Sequence, residues 1–466
     1  MTIMTSFDAK TTSLTHSLSL FGRSLQWDDL SPKAVARART AIIDCIGCML
    51  AGTVTDPGRI ASDWAIAEGG SPLATAIGLG YKTSPSLAAF VNGTTGHALD
   101  YDDVSPPMIG HPSVSLVPAT LAASEISMAS GAEILVAYVI GLDVQARLGR
   151  LMNPDHYAYG WHATSTLGAV AAAAAASRVL GLDDNQFRCA LGIAASGAGG
   201  LRKNFGSMTK ALHAGQAAQR GISAAMLAAR GFDADLDILD GQHGFLDTFR
   251  GHASTPWDAA SIRFDVSQPL EITESGIGIK QYACCGCSHT SIDVLLDLMN
   301  KFGFMHDQIG KIDCGVNRLV PGILIHRYAE TGFQGKFSMA YSVAVAALDR
   351  QAGPPQFDDD RTRRTDVQEM QKRVVMTVDP EIPVSHGVFP ARVKVTLKNG
   401  TVHTGASNKA RGMHPDLPLS DAQVDEKFRL CASSILNTTK TNEALAMLRS
   451  LEKLPNLTGL MSLISS

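Results

Sequence analysis

The chain has 466 residues, of which 45% are hydrophobic and 18% charged; that is longer than one hydrophobic core usually grows, so two domains, or one large domain with an appendage, are expected. A formal net charge of −4, with no lysine/arginine block, excludes a basic field for nucleic acid or for an anionic membrane surface. The eight cysteines are scattered along the chain, and with no secretory pattern they are expected as reduced thiols.

The N-terminal stretch MTIMTSFDAKTTSLTHSLSLFG lacks a positively charged start followed by an apolar core, so a cytoplasmic address is expected. Ser31-Pro32 reads as an N-cap with proline at the first helical position, opening the run KAVARARTAIIDCIGCMLAG. Further helices are predicted at Pro85–Leu99, Ser113–Met128, Ala132–Met152, His162–Leu180, Asp184–Ala195 and Leu212–Arg230. Gly131, Gly181 and Gly231 stand where helices are expected to stop. The most apolar stretch, Gly168 to Ala176, is far shorter than the ~20 residues of a membrane span and reads as a core helix.

After Pro269 the pattern changes. IGKIDCGVNR, KRVVMTVDP and ARVKVTLKNGTVHTG alternate with β-branched residues, and Asn399-Gly400 is a strong hairpin signal. Helices at His289–Phe302 and Lys336–Arg350 interleave with these strands, and Leu419–Asn437 and Thr441–Leu451 return to helical periodicity. Asp358 to Lys372, dense in both charges, reads as a solvated helix or loop. The expected fold class is mainly α: a large all-α domain over 1–267, a small α+β domain over 268–405, and C-terminal helices over 406–466 that rejoin the large domain.

Four segments carry groups capable of chemistry. In ALDYDDVSPPMIGHPS, Asp100, Asp102 and Asp103 precede His111; clustered carboxylates beside an imidazole can fix its tautomer or hold it protonated, although the same residues also suit a capping turn. The twelve-residue calcium pattern is absent. His162, in GWHAT, enters an alanine-rich helix at its N-terminus, where the dipole favours neutral imidazole. In SGAGGLRKNFGSMTKALHAGQAAQRG, the glycine turn with Arg202 and Lys203 could face an anion, and Lys210 and His213 share a helix face. Nucleotide-binding glycine patterns are missing there. In QYACCGCSHTSID, Cys284, Cys285, Cys287 and His289 crowd into too few residues for the separated ligand pairs of a zinc site, and Cys45 and Cys48 lie in an apolar helix and read as core.

Taken together, ALDYDD…GHPS, GWHAT…GAVAAAAAASRVLGL, GSMTKALHAGQAA, KQYACCGCSH and KFSMAYSVA resemble the MmgE/PrpD family, which includes 2-methylcitrate dehydratases, cis-aconitate decarboxylases and iminodisuccinate epimerases. The resemblance covers almost the whole chain. It implies a pocket between the two domains, a homodimer, a small polycarboxylate substrate and no metal or organic cofactor. Carried over by position, it implies Asp100, His111, His162, Lys210, His289 and Tyr341 as catalytic residues; His213, Arg202 and Asp103, which stand in the same segments, are expected beside the substrate. The expected chemistry is proton transfer at a carbon next to a carboxylate, with the enediolate held by cations and hydrogen bonds. The sequence departs from the dehydratase branch at His213 and at Tyr282-Ala283-Cys284-Cys285. Wording and length point to epimerisation of an amino-dicarboxylate such as iminodisuccinate, with dehydration, decarboxylation of the cis-aconitate type and non-catalytic polyacid binding as the alternatives.

Overall fold

In a computed structural model, residues 13–250, 264–384 and 387–465 are described. The reading of residues 1–12, and the part of the expected large domain at 251–263, lie outside them. The described residues form 20 α-helices and two small sheets, so the chain is mainly α.

The helical body is built around α1 (Pro32–Gly52), α2 (Pro85–Ala98), α3 (Ser113–Ser127), α4 (Gly131–Met152), α5 (Ala163–Val179) and α6 (Met208–Ala228). Ser31 caps α1 by accepting from Ala34 N–H, and Pro32 supplies a preset φ at the helix start. Alanine dominates α5 because it lies at the centre of the body: Ala169 and Ala171 through Ala176 have no exposed surface. Small side chains let neighbouring backbones approach, which is how this core reaches native packing density.

Gly181 and Gly231 follow helices in positive φ, as expected. Gly131 differs: it is the first residue of α4, and Ser130 is the N-cap that accepts from Glu133 N–H. The serine hydroxyl satisfies a free backbone donor there, so the segment starts a helix and does not end one.

The second core gathers around a four-stranded sheet. A short hairpin in the helical body supplies β1 (Ala74–Ala76) and β2 (Tyr81–Thr83); the sheet proper contains β3 (Ile309–Val316), β4 (Val374–Val378), β5 (Ala391–Leu397) and β6 (Val402–Ser407), in the order β4-β3-β5-β6. β3 and β4 run parallel while β5 pairs antiparallel with β3 and β6. Asn399-Gly400 forms the β5–β6 turn, with Gly400 at φ 86°. Helices α7 (Gly286–Phe302) and α8 (Met339–Asp349) pack with this sheet.

The charge-dense segment is less solvated than its composition suggested. It forms two short helices in which Val367, Met370 and Gln371 are buried and Arg361 bridges Asp349 and Asp366. At the C-terminal end, α9 (Asp421–Ala432) packs against α1, placing Phe428 in the helical core. No described helix is long and apolar enough to cross a membrane.

Candidate active site

The chain leaves α2 in a tight turn at whose centre Asp100 adopts φ 51°, a left-handed conformation that aspartate tolerates better than most residues. Three buried ammonium groups pin the turn. Lys336 Nζ donates to Ala98 O at 3.0 Å, Lys280 Nζ to Asp100 O at 2.7 Å, and Lys427 Nζ to Tyr101 O at 2.7 Å. Lys427 also pairs with Asp44 at 2.6 Å, and so ties α9 to α1 beneath the site.

The Asp100 side chain collects two of the site's cations. Lys210 Nζ lies 2.8 Å and Lys280 Nζ 3.0 Å from Oδ1. Burial alone would raise the Asp100 carboxyl; Lys210 and Lys280 outweigh it and hold the group well below the usual carboxylate range. Burial would likewise lower Lys280, but Asp100 and Asp102 raise it above its ordinary value. The Lys210 ammonium lies between two aromatic faces, 5.3 Å from the Phe205 ring centre and 5.2 Å from that of Phe337.

Asp102 organises the imidazoles. His97 Nδ1 donates to both its oxygens, at 2.9 and 3.0 Å, and His111 Nδ1 lies 3.0 Å from Oδ2 and 2.9 Å from Asp103 O. His111 Nδ1 faces only acceptors, so it carries the proton, and Nε2 is the nitrogen left for chemistry, 3.5 Å from Asp100 Oδ1. Burial lowers His111 despite Asp102, with Lys210 and Lys280 adding to the effect. His97 is pushed down to about 3, mainly by burial.

His162 is the N-cap of α5, and its Nδ1 stands 3.0 Å from Nδ1 of His213, so one ring donates and the other accepts. Burial, then Lys210 and His213, push His162 well below its ordinary value, and burial with Lys210 brings His213 to about 4. The Gly197–Gly200 turn supports this histidine: His162 N–H donates to Gly200 O at 3.0 Å.

These groups face a cavity with about 80 Å³ open to the centres of water molecules, lined among others by Asp100, His111, His162, Lys210, Lys280 and Cys285. Roughly 10–15 Å³ by that measure holds one water, so the space suits a handful of waters or a small organic acid. Tyr157, Phe205, Ile323, Phe337 and Phe389 complete the wall, so charges inside are poorly screened.

His97, Asp100, Asp102 and His111 offer ligand atoms within 4.8 Å of one another, the spacing of a metal site. The donors do not suit one. Two ammonium groups hold Asp100, and imidazole N–H groups face both oxygens of Asp102, so a cation would meet lysine charge and spent lone pairs.

Asp100, His111, His162 and Lys210 therefore converge on one cavity. His213 and Asp103 stand behind it: His213 supports His162, while the Asp103 carboxylate accepts from Ser113 N–H and Oγ–H, and burial raises its carboxyl well above the usual range. The other three candidates do not line the cavity. Arg202 stacks on Tyr157, with its guanidinium carbon 3.7 Å from the ring centre, and donates to Tyr157 O. His289 is fully buried, donating from Nε2 to Cys284 O at 3.2 Å. Tyr341 is fully buried as well, and its hydroxyl donates to Gln356 O at 2.5 Å. Helical periodicity places such residues on a face but does not say which wall that face meets.

The sequence reading missed Lys280, although it begins the KQYACCGCSH stretch, and His97, five residues before Asp102 on a helix with no other ionisable residue. For Lys280 the available signal was an ionisable residue next to the apolar run GIGI; for His97 it was an imidazole just before the Asp100–Asp103 carboxylates.

The model of the MmgE/PrpD N-terminal domain matches residues 16–258, and that of the C-terminal domain residues 282–453. The chain belongs to the MmgE/PrpD family. Among its relatives are the human cis-aconitate decarboxylase, 28% identical over 97% of this chain and 94% of that protein, and the mouse enzyme, 29% identical over 97% and 93%. The cis-aconitate decarboxylase of Aspergillus terreus is 25% identical over 97% of this chain and 96% of its own. The cavity thus draws its lining from both family segments: Asp100, His111, His162 and Lys210 from the first, Cys285 and Phe337 from the second. Lys280 stands just before the second.

Proposed function

We propose that this member of the family is a lyase that decarboxylates a small unsaturated polycarboxylate of the cis-aconitate type without an external cofactor. The observation that carries the reading is the pair of ammonium groups, Lys210 and Lys280, that share one oxygen of Asp100 on the cavity wall. A substrate carboxylate can exchange for Asp100 at these cations with little reorganisation, which is the preorganisation that stabilises a developing anion. The relatives support decarboxylation over the epimerisation that the sequence reading preferred.

The chemistry follows from the substrate class. A carboxylate on a carbon beside a C=C bond loses CO2 as the C–C bond breaks; its electron pair enters the allyl system, where a conjugated carboxylate carries the charge as a dienediolate. Lys210 and Lys280 hold that charge. An acid then adds a proton at the far carbon and the double bond shifts. A bound polyanion raises a neighbouring imidazole's proton affinity, so His111, steadied at Nδ1 by Asp102, takes a proton on Nε2 with the substrate and delivers it. His162 on the same cavity is the second proton carrier, and its presence keeps epimerisation, which needs a base on each face of one carbon, as the second reading.

The test is NMR in D2O with cis-aconitate, 2-methylcitrate and iminodisuccinate supplied separately. CO2 release with one solvent deuteron in the product supports the proposal. Inversion with exchange establishes the epimerase, loss of water the dehydratase, and binding without exchange a polyacid-binding protein. We also infer a homodimer: exposed Ile60, Trp64 and Met208 border an apolar groove with Phe90 and Leu212 that a second copy would cover, and sedimentation of the purified chain tests it.

A further inference from the structure

Two side chains on the cavity wall have no part in that chemistry. Cys285 and Cys287, separated by Gly286, both line the cavity beside Lys280. Cys285 is the N-cap of α7, a helix of 17 residues, so its sulfur lies at the positive end of the dipole. Of the eight free cysteines it alone is not buried. The remaining thiols outside the pair sit in the core, and Cys284 is occupied with the Ser288 hydroxyl at 3.2 Å.

We propose that Cys285 and Cys287 are a peroxide-reactive pair, a modification site in the wall of the polyacid cavity that closes to an intrachain disulfide. Cys285 is the attacking sulfur and Cys287 the resolving one. The division follows from their surroundings: the Cys287 thiol interacting with its sulfur, and Lys280 nearby, hold Cys285 below the ordinary thiol value against burial and Asp100. Burial, then Cys285 itself, keep Cys287 protonated and raise it well above that value. A thiolate at a helix N-terminus next to a cation, with a second thiol two residues on, has the features of a reactive cysteine.

The step balances with a hydroperoxide as oxidant. Cys285 thiolate attacks one peroxide oxygen, the S–O bond forms, the O–O bond breaks, and the leaving oxygen departs as water (or alcohol) after taking a proton. Cys287 sulfur then displaces the sulfenic oxygen as water and the S–S bond forms. The two thiols lose two electrons in all, and the peroxide takes them. The consequence for the site is direct. Cys285 N–H donates to Lys336 O at 3.0 Å, and Lys336 in turn holds Ala98 O beside Asp100, so drawing Cys285 toward Cys287 shifts the wall behind Asp100 and weakens polyacid binding.

The inference rests on the cavity wall and not on which polyacid the cavity takes. The full chain is treated with a small excess of hydrogen peroxide, alkylated, digested and mapped by mass spectrometry over time. The expected result is loss of two hydrogens on the peptide that holds Cys285 and Cys287, about tenfold faster than oxidation of any other cysteine. Cys287→Ser is expected to stop at a Cys285 sulfenic acid that dimedone traps, and cis-aconitate is expected to slow the wild-type reaction. If Cys285 and Cys287 remain alkylatable while other thiols oxidise, or if all thiols oxidise at one rate in the folded protein, the proposal fails. The wild-type map decides the matter even where a variant does not fold.

Discussion

Gly93 of α2 and Gly215 of α6 face each other so closely that a Cβ on Gly93 would stand 2.8 Å from Gly215 Cα. A Cβ on Gly215 would run into Thr94 Oγ1 and Phe90 O. The crossing lies seven residues before Asp100 and five after Lys210, so it sets how near the acid and the ammonium come. Gly215→Val is expected to cost about 3 kcal/mol or more by overpacking and to weaken turnover with it. Urea unfolding measures the first effect; a loss under about 0.5 kcal/mol would show that the helices can move apart freely.

Asp102 positions His111 and does not line the cavity. Asp102→Asn removes the negative charge beside His111 Nδ1 and puts an amide N–H2 in place of one oxygen that His97 and His111 use, so kcat is expected to fall about 100-fold, the range of a mis-set acid/base group, with KM changed by less than about threefold. The pH profile separates this from a structural role: it is expected to shift with the imidazole, whereas an unshifted profile with a raised KM would assign Asp102 to packing.

Tyr341 gives the opposite expectation from its first reading. Its hydroxyl is spent on Gln356 O and near Thr362 Oγ1, and burial pushes it up to about 12, far from a useful acid. Tyr341→Phe should leave kcat/KM within about threefold and cost roughly 1 kcal/mol of stability, the net value of one hydrogen bond. A 100-fold loss of kcat at unchanged stability would return the phenol to the mechanism.

Acid should unfold this protein through its buried imidazoles. Burial pushes His97 down to about 3, His289 to about 3 and His156 to about 4, against an ordinary 6.5. Between those values only the unfolded chain binds the protons. Their contribution is therefore fully present above pH 6.5 and is lost as pH falls toward 4, at up to about 1.4 kcal/mol per group and pH unit. The three together predict a loss of about 6 kcal/mol from pH 7.5 to pH 5, visible as a falling urea midpoint. A flat midpoint over that range would mean that these rings titrate normally.

Much of this was readable from residue patterns, for reasons that also explain the misses. Ser31-Pro32, the α5 alanine run and Asn399-Gly400 are local signals, and they produced the elements expected of them. Asp100, His111, His162 and Lys210, which line the cavity, could be picked out because they stand in three stretches of family-like wording, Asp100 and His111 sharing one. Lys280 was not, since what gives it meaning is a partner far away: Asp100 lies 180 residues before it. His97 was missed although its partner, Asp102, is only five residues on, because no sequence pattern marks a buried imidazole–carboxylate pair. Tyr341 and His289 show the converse. Their helices were found, but whether a buried face meets a cavity or a core depends on packing that periodicity does not encode.

The claim at the centre is that Lys210 and Lys280 hold the substrate's carboxylates while carbon carries negative charge. Steady-state turnover of cis-aconitate by Lys210→Met, beside the wild type and with folding verified by circular dichroism, tests it most directly. The account predicts CO2 release by the wild type and a fall in kcat/KM of about 1,000-fold or more in the variant, the scale for losing one charge-stabilising donor. A folded Lys210→Met protein that turns over at a rate within threefold of wild type would contradict it.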